Sequence, residues 1–210
     1  MKLYSAPGTC ATAMHIALEW AGAPYEVEHL DFQGMKSPEY LKLNPAGVVP
    51  TLVDAGTPIV EGAAILLYLT DKLPQAGLGP QPGDADRQEL YRWLVFLSGT
   101  LHPYFWPHFM PMRFTTDENG HDAVREASHQ LVAKAFTIID DHLEGRTWLV
   151  GEERSVADAF LYAMASWGYG LAKPTGEYRN IHALMMRLSN DPAVLKVHAA
   201  QGTSPKAVAA

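Results

Sequence analysis

The chain has 210 residues, 48% of them hydrophobic and 19% charged, which supports one large or two small packed domains and excludes a disordered or fibrous protein. Sixteen Lys and Arg against 23 Asp and Glu give a formal charge of -7 with no basic run, so nothing tracks a phosphate backbone and nucleic acid is excluded as a partner. No apolar stretch reaches the roughly 18 residues of a membrane span, and Met1-Lys2 leads into strand-like sequence rather than a signal peptide, so a soluble, cytoplasmic protein is expected.

Residues 2–5 read as a short strand, stopped by the turn Ala6-Pro7-Gly8-Thr9. A helix follows from near Cys10, with Met14, Ala17, Leu18 and Ala21 at helical spacing and Gly22 and Pro24 ending it. Residues 25–30 are predicted as a second strand, and 37–43 as a helix capped by Ser37 with Pro38 at its first position. Residues 47–53 return to strand, turn through Asp54-Ala55-Gly56-Thr57 and continue as strand over 58–60. Glu61 opens an apolar helix to about Leu73. Residues 74–84, with three prolines and three glycines, mark a connector. Beyond it the stretches 85–110, 120–144, 156–170, 177–189 and 192–199 are all helical in period, and Gln201 to Ala210 reads as a frayed tail. The prediction is an α/β domain over residues 1–76 and an all-helical domain over 84–210.

Cys10 is the only cysteine, which rules out an intrachain disulfide, a CxxC pair and a Cys-rich zinc site. It stands where a strand turns into a helix, and the unpaired amides there stabilise an anion and can lower a thiol pKa, so Cys10 reads either as a thiolate or as an inert small hydrophobe. Ser5 and Thr9 offer hydroxyls beside it, at least one of them to cap backbone. Val49-Pro50 precedes a strand; in cis it would turn the main-chain groups of Val49 outward for an extended peptide ligand. Glu61-Gly62 heads a helix where amides suit a carboxylate and Glu61 suits an ammonium, or where Glu61 is simply a favourable first-turn charge. His102 opens an aromatic and Met-rich run through Met112 that reads as pocket lining or as plain core. The nine histidines show no HxxxH or HxH spacing, so no metal is expected. Ser155-Val156-Ala157-Asp158 is a capping box, a folding signal, and Asp140-Asp141 reads as a solvated face.

Four motifs occur in order: Ser5-Ala6-Pro7-Gly8-Thr9-Cys10, Asn44-Pro45-Ala46-Gly47-Val48-Val49-Pro50, Val60-Glu61-Gly62-Ala63-Ala64-Ile65 and Ser155-Val156-Ala157-Asp158. Together they resemble the cytosolic glutathione S-transferases, most closely the bacterial beta class, over nearly the whole chain. The resemblance implies a thioredoxin-like first domain and a helical-bundle second domain holding the hydrophobic co-substrate. It implies a cis Val49-Pro50 bond whose preceding backbone pairs with the cysteinyl part of glutathione, and a γ-glutamyl end held by Glu61 and the Gly62 amide. Cys10 matches the beta-class cysteine beside the glutathione sulfur, His102 a pocket histidine, and Lys36 one of two lysines for the glycyl carboxylate. The sequence departs from the family at Ser5, Val95 and Pro103, where Tyr, Asn and Lys are common, and at Met35 in place of the other lysine. Gly62 stands where many relatives have Ser.

The activity implied is a glutathione transferase with Cys10, Ser5 and His102 as catalytic candidates. Cys10, Lys36, Val49, Pro50, Glu61 and Gly62 are the candidates for glutathione contact. The thiol of glutathione, as co-substrate, attacks a hydrophobic electrophile in a detoxification reaction, with thiol-disulfide exchange through Cys10 open beside conjugation. A homodimer is implied as well. The alternative is a non-catalytic glutathione-binding, hydrophobic-ligand-binding or regulatory protein on the same fold; a glutathione-dependent isomerase is a further rival, whose Ser-rich first-helix motif Gly8-Thr9-Cys10-Ala11 does not match.

Overall fold

The computed structural model describes residues 1–207. Strands β1 (Lys2–Ser5), β2 (Glu26–His29), β3 (Thr51–Asp54) and β4 (Thr57–Val60) form one sheet in the order β2-β1-β3-β4. β1 runs parallel to β2 and antiparallel to β3, and β3 is antiparallel to β4. The register pairs Ser5 with His29, Tyr4 with Thr51 and Thr51 with Val60. The segments that leave β1, β2 and β4 and the one that enters β3 therefore all meet at one end of the sheet. That end carries the Cys10 turn, Lys36, Pro50 and Glu61.

Helices α1 (Ala11–Ala21) and α3 (Gly62–Lys72) pack against each other and the sheet, and α2 (Pro38–Leu43) reaches the sheet through Tyr40, whose ring lies 5.4 Å from that of Tyr4. The strand predicted from residue 47 begins only at Thr51. Pro50 has no N–H for a ladder, and Asn44 holds the preceding loop by donating to Val48 O at 2.7 Å.

The remaining helices are α4 (Arg87–Phe96), α5 (His102–Phe109), α6 (His121–His142), α7 (Val156–Trp167), α8 (Arg179–Ser189) and α9 (Pro192–Gln201). The single helix predicted over 85–110 is instead α4 and α5 joined by a wide π turn, Leu97–Leu101. Pro103 explains the break, because its ring collides with the carbonyl four residues back and it supplies no N–H. Ser155 and Asp158 make the capping box: Asp158 accepts from the amides of Ser155 at 2.7 Å and Leu149 at 2.8 Å, and the Ser155 hydroxyl accepts from the Ala157 amide at 3.3 Å. Asp140 is no idle surface charge. Its carboxylate accepts from the amides of Asn180 and Ile181 at 2.7 and 2.8 Å and caps α8.

α1 and α7 are buried almost all round, as helices with apolar residues on every side must be, and they pack together. One continuous hydrophobic cluster consequently runs from Leu3 and Leu52 in the sheet to Leu188 and Val197 in the helices. The connector joins it through the buried Leu78, whose carbonyl accepts from the Val156 amide at 2.8 Å. The predicted frayed tail is anchored instead: Gln201 ends α9 and is buried, and Ala207 packs into the core. Residues 208–210 of that tail lie outside the described residues. Among the described residues no helix is long and apolar enough to cross a membrane.

Candidate active site

Two helix ends face the site end of the sheet. Glu61 immediately precedes α3 with φ 68° and ψ 117°, a conformation rare for any residue with a side chain, and its own carboxylate does not cap the helix. The first amide taken inside α3 is that of Ile65, which donates to Glu61 O at 2.9 Å, so the amides of Gly62, Ala63 and Ala64 are open to an anion. Gly62 has no room for a side chain: a Cβ there would lie 2.7 Å from Met14 Cε and 3.2 Å from Phe160 Cζ. A side chain at this position presses on Met14 and Phe160, and with glycine here the carboxylate-binding character rests on the main chain.

The Val49–Pro50 bond is cis, as the family resemblance implies. The Val48 carbonyl accepts from Tyr40 OH at 2.6 Å and from Asn44 Nδ2 at 2.7 Å, and Thr51 Oγ1 meets both side chains. Those bonds fix the loop and satisfy Val48, while neither the N–H nor the C=O of Val49 has a partner among the described residues. Lys36 stands beside the same loop, its Nζ donating to Gly47 O at 2.8 Å.

Cys10 sits at the start of α1 and is 8% exposed. The amides of Cys10 and Ala11 pull its thiol pKa down, as their helix-terminal position predicts, yet burial outweighs them and pushes it up to about 12, with Glu61 adding to the rise. Of the two readings of Cys10 in the sequence, the thiolate is the one the burial opposes: the side chain is a protonated thiol at neutral pH. Thr9 caps backbone, donating to Ala6 O at 2.7 Å and accepting from the Ala11 amide at 3.3 Å. Ser5 is fully enclosed on the Leu3 side of β1, with its hydroxyl unpaired among the described residues, so it does not reach the surface that a ligand would touch. The catalytic candidate Ser5 therefore lies inside the fold.

His102 begins α5, half-buried, its ring stacked on Trp106 at 5.7 Å and 22° and 5.3 Å from the ring of Trp167. Burial lowers its pKa, so the imidazole is neutral at pH 7. Two residues with no local sequence signal tie the helices to the thiol turn at one point. Trp167 Nε1 donates to Gly8 O at 2.8 Å, and Gln201 Oε1 accepts from Gly8 N at 3.4 Å and from Thr12 Oγ1 at 3.2 Å. The structure thereby brings Cys10, Glu61, Gly62, Val49, Pro50 and Lys36 to one sheet end, with His102 joined to it through Trp167.

Residues 1–71 match the glutathione S-transferase N-terminal domain model and residues 97–192 the C-terminal domain model. The chain is 36% identical over 206 residues to glutathione S-transferase GST-4.5 of Xanthomonas campestris pv. campestris, covering 96% of this chain and 99% of that protein. It belongs to the glutathione S-transferase family. Solved structures similar to this glutathione S-transferase include a sphingomonad glutathione S-transferase complexed with glutathione, at 34% identity and TM-score 0.86 over 96% of this chain and 99% of that one. A bacterial beta class enzyme from Sphingomonas chungbukensis is similar at 32% identity and TM-score 0.85, over 96% and 99% of the two chains. The transferase fold here is thus a thioredoxin-like domain with a four-stranded mixed sheet and a helical domain, and the activity of the family is glutathione transfer.

Proposed function

We propose that reduced glutathione lies along the site end of the sheet, with its γ-glutamyl carboxylate on the open amides of α3 and its ammonium on Glu61. Its cysteinyl backbone pairs with Val49, and Lys36 takes the glycyl carboxylate. The observation that carries this reading is the coincidence of open α3 amides with unpaired Val49 main-chain groups at a single edge. The glutathione sulfur then falls at the start of α1, where the helix-terminal amides stabilise a thiolate and the protonated Cys10 donates its S–H to it. Each pKa unit by which the bound thiol falls corresponds to about 1.4 kcal/mol in favour of the thiolate. Neutral His102, on the side of the helical domain, accepts the proton that the thiol loses.

The thiolate attacks an electrophilic carbon of an apolar co-substrate, the new S–C bond forming as the leaving group departs or the acceptor double bond opens. Because Cys10 is buried and protonated, conjugation leads over thiol-disulfide exchange. The reaction suits a cytoplasmic detoxification enzyme. A homodimer is part of this reading, for which the exposed Tyr91 and Val95 of α4 offer apolar surface, Val95 being 64% exposed. The test is titration calorimetry with reduced glutathione on the protein and on its Glu61→Ala variant, alongside turnover of 1-chloro-2,4-dinitrobenzene. Tight uptake that Glu61→Ala weakens at least tenfold, with turnover, supports the reading; equal affinity of the two proteins refutes it.

A further inference from the structure

The Lys36 ammonium has a seat made of a carbonyl, a glycine and a ring. Its Nζ donates to Gly47 O at 2.8 Å, and Gly47, at φ 60°, leaves the room for it: a Cβ there would lie 2.8 Å from Nζ. The ring of Phe32 lies under the same nitrogen, its centroid 5.8 Å from Nζ. Among the described residues no carboxylate is within ion-pair distance of Lys36, and Asp31, the acid of the same loop, is turned to the Gly34 amide, from which it accepts at 2.7 Å. Phe32 stands in the segment that leaves β2, at the site end of the sheet, 70% exposed and outside the hydrophobic cluster. A single exposed phenylalanine is ordinary surface. One whose π face carries the lysine at the ligand's edge has a task that packing does not give it.

A free lysine samples many rotamers, and a carboxylate that draws it to one place meets the cost of ordering it. Here the carbonyl takes one N–H and the ring attracts the charge, so the rotamer is set beforehand while two N–H groups stay available to a ligand. Neither partner neutralises the ammonium, as a carboxylate partner would. We propose that Phe32 is a positioning residue for glutathione binding: acting through Lys36, it sharpens the preference of the enzyme for a free glycyl carboxylate, and so for the intact tripeptide over forms blocked at that end. The proposal rests on the transferase reading given above and adds to it one residue and one selectivity.

The probes are reduced glutathione and its glycyl monoethyl ester, which share the thiol and the γ-glutamyl end and differ by one charge; the Kd of each is measured by titration calorimetry. The wild type is expected to bind the acid about fivefold more tightly than the ester, and Lys36→Met to bring that ratio near one. Phe32→Leu keeps an apolar side chain and removes the ring, so the ratio is expected to fall to about two, while Phe32→Tyr restores it. Added to Lys36→Met, Phe32→Leu should have no further effect on the ratio, and salt should shrink the preference of the wild type. A ratio unchanged by Phe32→Leu but lost in Lys36→Met overturns the role of Phe32 and leaves the transferase reading standing. Equal weakening of both probes by Phe32→Leu also overturns it, because a ring that only packs would act on acid and ester alike. If the wild type takes up neither probe, or its preference for the acid is absent or survives Lys36→Met, the placement of glutathione on Lys36 fails and the inference falls with it.

Discussion

Cys10 is the only thiol of the chain, so its ionisation can be read directly by alkylation with iodoacetamide. The perturbation is unfolding in guanidinium, which returns the thiol from about 12 to its ordinary 9.0. At pH 7.5 a thiol of ordinary pKa is roughly 3% ionised, and one near 12 is about a thousandfold less so, a difference worth about 4 kcal/mol. Enclosure slows the reagent further, so the native protein is expected to alkylate at least about a thousandfold more slowly than the unfolded one. The same shift bears on stability. The fold keeps the proton that the unfolded chain releases near pH 9, so stability falls as pH rises from 9 toward 12 and is insensitive to this group below 9. Native alkylation within tenfold of the unfolded rate, or an inflection in its pH profile below 9, would refute the argument that burial outweighs the helix terminus.

Gly62→Ser is expected to cost about 1–2 kcal/mol in chemical denaturation by pressing on Met14 and Phe160, and the double variant with Met14→Ala should lose less than the sum of the single losses. Glu61→Gly should move two measurements in opposite directions: stability rises by up to about 1 kcal/mol as the strained φ is relieved, while calorimetry shows weaker glutathione uptake. Gln201→Ala removes the acceptor of the Gly8 amide and the Thr12 hydroxyl. It should cost about 1–3 kcal/mol in a urea melt and speed native Cys10 alkylation, since the turn that encloses the thiol loosens.

Sequence alone made legible what local chemistry writes. Pro7 and Gly8 stop β1, Ser37 and Pro38 start α2, and the Ser155–Asp158 box starts α7, each through groups a few residues apart. The site end of the sheet was reachable because its motifs border strands whose register gathers them. Out of reach were features decided by distant packing. Gly8 is held by Trp167 and Gln201, 159 and 193 residues away, and no periodicity reports such bonds. The helix terminus at Cys10 was visible, but the burial that reverses its effect comes from the shared core. Likewise Glu61 gave its charge and not its backbone conformation, and the run 85–110 concealed a π turn that two prolines only hint at.

The unbroken hydrophobic cluster through α1 and α7 has a bearing on how such enzymes can be recombined. A chimera spliced in the 74–84 connector, taking its first portion from one relative and its second from another, would set two unrelated surfaces face to face where jigsaw contact is required. Its success would be decided by co-transplanting Met14, Phe160, Trp167 and Gln201 as a set, whatever the quality of the splice.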